Sequence, residues 1–110
     1  MPAKPDARAL LGSLIGTPIS TVTGRANTVL RLDGDNAIVA TSRSPSGQPV
    51  PIGWVQSGLE RLLTTGEIEV SVPSLGYRSA FIGAVLLSLP GAVLIQVTPP
   101  RIRLTDPATE

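Results

Sequence analysis

Between Pro51 and Gly66 the apolar residues Ile52, Val55, Leu59, Leu62 and Leu63 recur at intervals of three, four, three and one, which sets them along one stripe of a helix over 51–65. Gln56, Ser57, Glu60 and Arg61 then face water. Proline at the first helical position costs nothing, because its missing N–H would be unpaired there, and Gly66 stops the helix in the left-handed conformation. A helix apolar along one stripe must be covered, so the rest of the chain has to supply a second layer.

That layer reads as sheet. Residues 28–32 and 37–41 are β-branched, roughly alternating runs joined by Asp33-Gly34-Asp35-Asn36, a sequence suited to the positive φ angles of a tight hairpin turn. Their alternation is imperfect, and the parity carrying Leu30 and Leu32 is expected to be buried. Residues 67–72 alternate Ile68, Val70 and Val72 against Glu67, Glu69 and Ser71, predicting a strand that Pro73 terminates. A second helix is expected from Gly76 or Ser79 to Ser88, with Phe81, Ile82, Val85, Leu86 and Leu89 inward and Gly83 and Ala84 permitting close packing. Pro90-Gly91 ends it, and residues 92–98 form a last strand buried on at least one face. The order β-β-α-β-α-β predicts a small single α+β domain, with two helices packed on one face of a mainly antiparallel sheet. A chain of 110 residues suits one core, and 11 Gly with 11 Pro make it rich in loops. Residues 1–20 read as a leader or a short helix packed on the domain, 21–98 as the binding module and 99–110 as a tail or linker.

Charge and composition exclude more than they assign. The net charge is +1 and Lys4 is the sole lysine, so there is no bulk attraction to nucleic acid or anionic lipid. With no cysteine and no histidine, disulfides, zinc fingers, imidazole bases and Ser-His-Asp hydrolysis are unavailable. Asp33 and Asp35 sit at a hairpin tip where Asp serves the turn, and Glu67 and Glu69 lie on the wet side of a strand, so no catalytic or metal site and no cofactor is assigned. The apolar run over 80–97 is cut by Pro90-Gly91 and carries Gln96, which argues for a helix and a strand rather than a membrane span. No secretory core follows the basic residues of the N-terminus, and the expected location is cytoplasmic.

Polar clusters stand at three element ends: Thr23-Gly24-Arg25-Ala26-Asn27, Arg43-Ser44-Pro45-Ser46-Gly47-Gln48, and Gly76-Tyr77-Arg78-Ser79. Each pairs an arginine with small hydroxyl or amide residues, supplying guanidinium forks and N–H donors for phosphate oxygens and, at Asn27 and Gln48, amides for base edges. The candidate nucleic-acid contacts are Arg25, Asn27, Arg43, Ser44, Ser46, Gln48, Tyr77, Arg78 and Ser79. The other reading is that these are ordinary loops whose arginines pair with Glu60, Glu67 or Glu69 and whose serines cap helices. Trp54 is expected in core or hinge packing, and Tyr77 either contacts a ligand or anchors the helix start.

The runs Gly24-Arg25-Ala26-Asn27-Thr28-Val29, Arg43 through Ile52, and Gly76-Tyr77-Arg78-Ser79-Ala80-Phe81 resemble a small module at the front of actinobacterial HNH-nuclease proteins, which are similar to modification-dependent restriction enzymes of the McrA kind. The resemblance covers residues 21–97. It implies a non-enzymatic accessory domain that helps a larger nuclease protein engage duplex DNA, with or without modification, alongside neighbouring domains that cut and read. The histidines of an HNH site are absent, so cleavage is not carried over. The rival expectation is a protein-interaction or oligomerisation domain without direct nucleic-acid contact.

Overall fold

The computed structural model describes residues 6–22, 24–75 and 78–105. The domain is α+β, with two antiparallel sheets packed around a set of helices. The first sheet has the order β1 (Ile19–Ser20), β2 (Ala26–Asp33), β3 (Asn36–Ala40) and β4 (Gln48–Pro51). The helices are α1 (Ala7–Ser13), α2 (Ile52–Thr65), the single turn α3 (Val72–Leu75) and α4 (Ser79–Leu87). Strands β5 (Glu67–Glu69), β6 (Ala92–Val97) and β7 (Pro100–Leu104) make the second sheet, with β7 in the middle. Among the described residues no helix is long and apolar enough to cross a membrane.

The hairpin forms as its turn chemistry dictates, with Asp33 opposite Asn36 and Gly34 at φ 60°. Over residues 27–30 its buried parity is the opposite of the expected one, while Leu32 packs towards the core as expected. Val29 pairs with Val39 and Arg31 with Ile38, so Leu30 is an extra residue on β2. This bulge explains the imperfect alternation: Asn27 and Val29 point inward ahead of it, Leu30 is turned out at 36% exposure, and Leu32 returns towards the core.

Strand β4 lies where the sequence suggests only a proline-rich loop. Val50 pairs with Ala37 and Gln48 with Val39, and the Ile52 N–H donates to the Asp35 carbonyl at 2.8 Å. The even-numbered residues therefore serve β3, while Pro49 and Pro51 fall on the open edge, where a missing donor breaks no ladder bond. Pro51 ends the strand and caps α2 rather than occupying its first turn.

Helix α2 is the hub, touching α1, α3, α4, β4, β5 and β7. Ile52, Val55, Leu59 and Leu62 are buried as expected, and Gly66, at φ 79°, donates its N–H to the Leu62 carbonyl at 2.7 Å. Two expectations fail on its outer side. Leu63 is 38% exposed, since it lies one residue past the stripe, and Trp54, expected in core or hinge packing, is 42% exposed. Helix α4 is buried all round from Phe81 to Leu86, and Gly83 lets Val70 approach so closely that a Cβ there would sit 2.7 Å from Val70 Cγ1.

The first and last described segments enter the core more deeply than the sequence suggests. Ala7 and Leu11 of α1 are fully buried, Asp6 caps the helix by accepting from the Arg8 N–H at 2.9 Å, and the Ala7 N–H donates to Gln56 Oε1 on α2 at 2.8 Å. The expected tail from residue 99 contains β7, whose Ile102 is fully buried between Ile68 on β5 and Leu94 on β6. Proline-rich flanks hid this strand, because Pro99 and Pro100 form its turn and first residue and leave its alternation only five residues long. Strand β6, expected to be buried on one face, is instead an exposed edge, with Val93, Leu94, Ile95 and Val97 all accessible. On the outer face Arg101 bridges Glu67 and Glu69 at 3.0 and 3.5 Å, and Arg103 meets Glu67 at 3.3 Å.

Leu59→Ala and Ile102→Ala should each lower stability by about 2–4 kcal/mol in chemical denaturation, as expected for cavities at fully buried positions. An Ile102 variant losing less than about 0.5 kcal/mol would remove β7 from the core.

Candidate nucleic-acid interface

Antiparallel pairing brings the start of β2, the end of β3 and the start of β4 to one end of the first sheet, and the N-terminus of α4 abuts the same end. A cavity of about 350 Å³ opens there. Arg25, Ala26 and Asn27 line it from β2 and the turn before it, Arg43 and Ser44 from the β3–β4 loop, Gln48 from the start of β4, and Arg78, Ala80 and Phe81 from the N-cap and first turn of α4. Three arginines far apart in sequence thus share one concavity.

Local backbone chemistry fixes each contributor. Before β2 the chain turns around Thr21, whose N–H donates to the Arg25 carbonyl at 2.8 Å and whose hydroxyl accepts from the Arg25 N–H at 3.1 Å. In the β3–β4 loop Thr41 and Ser44 exchange backbone N–H···O bonds, both 3.1 Å, and the Gly47 N–H donates to the Ser44 carbonyl at 3.0 Å. Gly47 has φ 95°, and a Cβ on it would lie 2.5 Å from Ile38 Cγ2, so only glycine fits where the loop re-enters the sheet.

The side chains divide into held and unpartnered groups. Gln48 is held at both ends of its amide: Arg78 Nη2 donates to Gln48 Oε1, and Gln48 Nε2 donates to Ser44 Oγ at 3.0 Å. Gln48 therefore orients Arg78 and is occupied as a reader of base edges. Arg25 and Arg43 have no ion-pair or hydrogen-bond partner for their guanidinium groups among the described residues. Asn27 is only 7% exposed, lines the cavity, and its side-chain amide likewise has no partner among the described residues. The one buried side-chain polar atom without a partner among the described residues is Ser71 Oγ, so the Asn27 amide is not sealed from solvent and opens on the cavity.

No carboxylate lines the cavity among the described residues. Glu67 and Glu69, named above as possible partners for the loop arginines, pair with Arg101 and Arg103 on the second sheet instead. A depression of about 330 Å³ beside that network shows the contrast, because there Arg101 already faces Glu67 and Glu69. Helix α4 adds to the positive character of the cavity: Arg78 occupies its N-cap without a cap bond from its own side chain, and the helix presents the positive end of its dipole there.

Of the residues predicted from sequence, Arg25, Asn27, Arg43, Ser44, Gln48 and Arg78 meet at the cavity. Ser46 sits on the exposed side of its turn, and Ser79 begins α4 without lining the cavity. Tyr77, with Thr23 and Gly76 of the same clusters, lies outside the described residues. Thr21, Thr41, Ser42 and Phe81 also line the cavity. Thr41 and Ser42 adjoin Arg43 and could have been found by extending that cluster, whereas nothing in the pattern separates Phe81 from an ordinary core residue.

Comparisons with protein-family models, curated proteins and solved structures return no match. The site therefore rests on its own geometry. Gly47→Ala should destabilise the domain by about 1–3 kcal/mol in a urea melt, since it adds both positive-φ strain and overlap with Ile38. An unchanged melt would show that the loop re-enters the sheet along another path.

Proposed function

We propose that the domain is a non-enzymatic DNA-binding module, which contacts backbone phosphate through Arg25, Arg43 and Arg78. The observation that carries the reading is the meeting of these arginines at one cavity with no carboxylate among its described lining residues, on a chain of net charge +1. Guanidinium forks match phosphate oxygens, and a local cationic site on a nearly neutral protein favours docking in one place over adhesion everywhere. The N-terminus of α4 beside the cavity supports the same ligand charge. The resemblance to accessory modules of McrA-like HNH nucleases agrees with this role and suggests a place beside nuclease domains in a modification-dependent restriction system.

One observation favours a second reading, a protein-interaction or oligomerisation domain. The edge strand β6 exposes Val93, Leu94, Ile95 and Val97, with no charge or proline to deter another strand from pairing. The two readings differ in their response to salt, because phosphate contacts release counterions and apolar edges do not.

With three phosphates neutralised, duplex affinity should fall about forty-fold between about 50 and 200 mM salt, following a log–log slope of about −2.7. Arg25→Ala, Arg43→Ala and Arg78→Ala should each reduce that slope by about one while leaving thermal stability nearly unchanged. Gln48→Ala should weaken binding less than Arg78→Ala, since it frees the Arg78 guanidinium without removing it. Fluorescence anisotropy across a salt series measures all four. A flat salt dependence, or no duplex binding even at the lowest salt, would overturn the DNA reading in favour of the β6 surface.

A further inference from the structure

The cavity carries more than its arginines. Its lining includes the Asn27 amide, without a hydrogen-bond partner among the described residues, beside an apolar wall that includes Phe81, itself almost wholly buried. An ion such as phosphate would use the cationic groups and at most the N–H donors of that amide, leaving its carbonyl oxygen to water. A ligand with two parts, one anionic and one offering a flat hydrogen-bonding edge, uses the arginines and both sides of the amide together. An amide presents a carbonyl acceptor beside an N–H donor, the complement of the adjacent donor and acceptor found on every nucleobase.

Geometry decides how such an edge reaches Asn27. A base paired within a duplex shows its edge only at the bottom of a groove, where a projecting helix or β-ribbon can read it. Asn27 is recessed, at 7% exposure, in a concavity at the end of a sheet, so it cannot be pushed into a groove. The base must come to the amide, which requires a nucleotide that has left the stack. A volume of about 350 Å³ lies at the small end of pockets that enclose organic ligands, as suits one nucleotide rather than a longer strand.

We infer that the cavity takes a single unpaired nucleotide of DNA, its phosphate at Arg25, Arg43 and Arg78 and its base edge on the Asn27 amide. This rests on the DNA-binding reading above and adds a second specificity to it. The arginines hold the backbone, and Asn27 admits a base only where pairing is already lost or weak. The unstacking cost is smallest at unpaired, mismatched or damaged positions, so the domain prefers those sites to continuous duplex.

The test compares three labelled duplexes in anisotropy titrations with the full chain: one continuous, one with a single extrahelical nucleotide, and one in which that nucleotide is abasic. Wild type should bind the second about tenfold or more tightly than the first, and the abasic duplex should lose that gain because its phosphate remains but its base edge is gone. Asn27→Ala and Asn27→Leu should abolish the preference for the extrahelical over the abasic duplex. If either variant fails to fold in a thermal melt, the abasic comparison on wild type still decides. Equal binding of the continuous and extrahelical duplexes, an undiminished gain with the abasic one, or a preference surviving in a folded Asn27 variant overturns the inference and leaves the DNA reading standing. No binding to any of the three at about 50 mM salt overturns both.

Discussion

The close crossing of α2 and α4 is the contact on which the remaining geometry depends. At Gly58 a Cβ would lie 3.0 Å from Leu75 Cδ2, 3.4 Å from Ile82 Cγ2 and 3.6 Å from Leu86 Cδ1, so the helices meet with almost no space between them. Gly83 does the same against Val70 on the other side of α4. These approaches bury Leu59, Leu62, Ile82, Val85 and Leu86 together, and they fix where α4 begins. The polar site is thus positioned by apolar packing: Arg78 reaches the end of the first sheet because glycine lets the helix behind it come close.

Net charge conceals how the ionic groups are distributed. The second sheet uses Glu67 and Glu69 to neutralise Arg101 and Arg103 across neighbouring strands, an arrangement worth little stability in water. Those carboxylates are occupied on the second sheet, while Arg25 and Arg43 at the end of the first sheet have no ion-pair partners among the described residues. Two regions of opposite logic, one compensated and one cationic, sum to a balance of +1 that describes neither.

What could be read in the chain beforehand follows physical lines. The hairpin, α2 with its Gly66 stop, and the break after α4 were legible because short-range chemistry decides them: turn residues, apolar spacing and a proline. The elements that escaped, β4, β7 and the burial of α1, are short segments whose status depends on distant partners, and in β4 and β7 proline argues against a strand unless one knows which edge is open. The same distinction governs the site. Arginine-bearing clusters could be recognised one by one, but their meeting is a property of antiparallel pairing and of α4. The depth of Asn27 was hidden more thoroughly, since the bulge at Leu30 sets which parity of β2 turns inward. Gln48 appeared free as an amide in a loop, until its bonds to Ser44 and Arg78 assigned it a holding role.

The position of β7 between β5 and β6 has a consequence for how the chain acquires its shape during synthesis. In space the order is β5, β7, β6, although β7 is made last of the three, so β5 has no strand beside it until residues 100–104 have emerged. The lining residues of the cavity run only from Thr21 to Phe81 and are all available earlier. At about 5–20 residues per second, the 23 residues from Phe81 to Leu104 take about one to five seconds to add. During that interval the first sheet and α2 can assemble while Ile68 waits, exposed, for Ile102. The half of the molecule that carries the cavity is therefore made first, and the strand that closes the core behind it arrives from 36 residues downstream when Arg103 reaches Glu67.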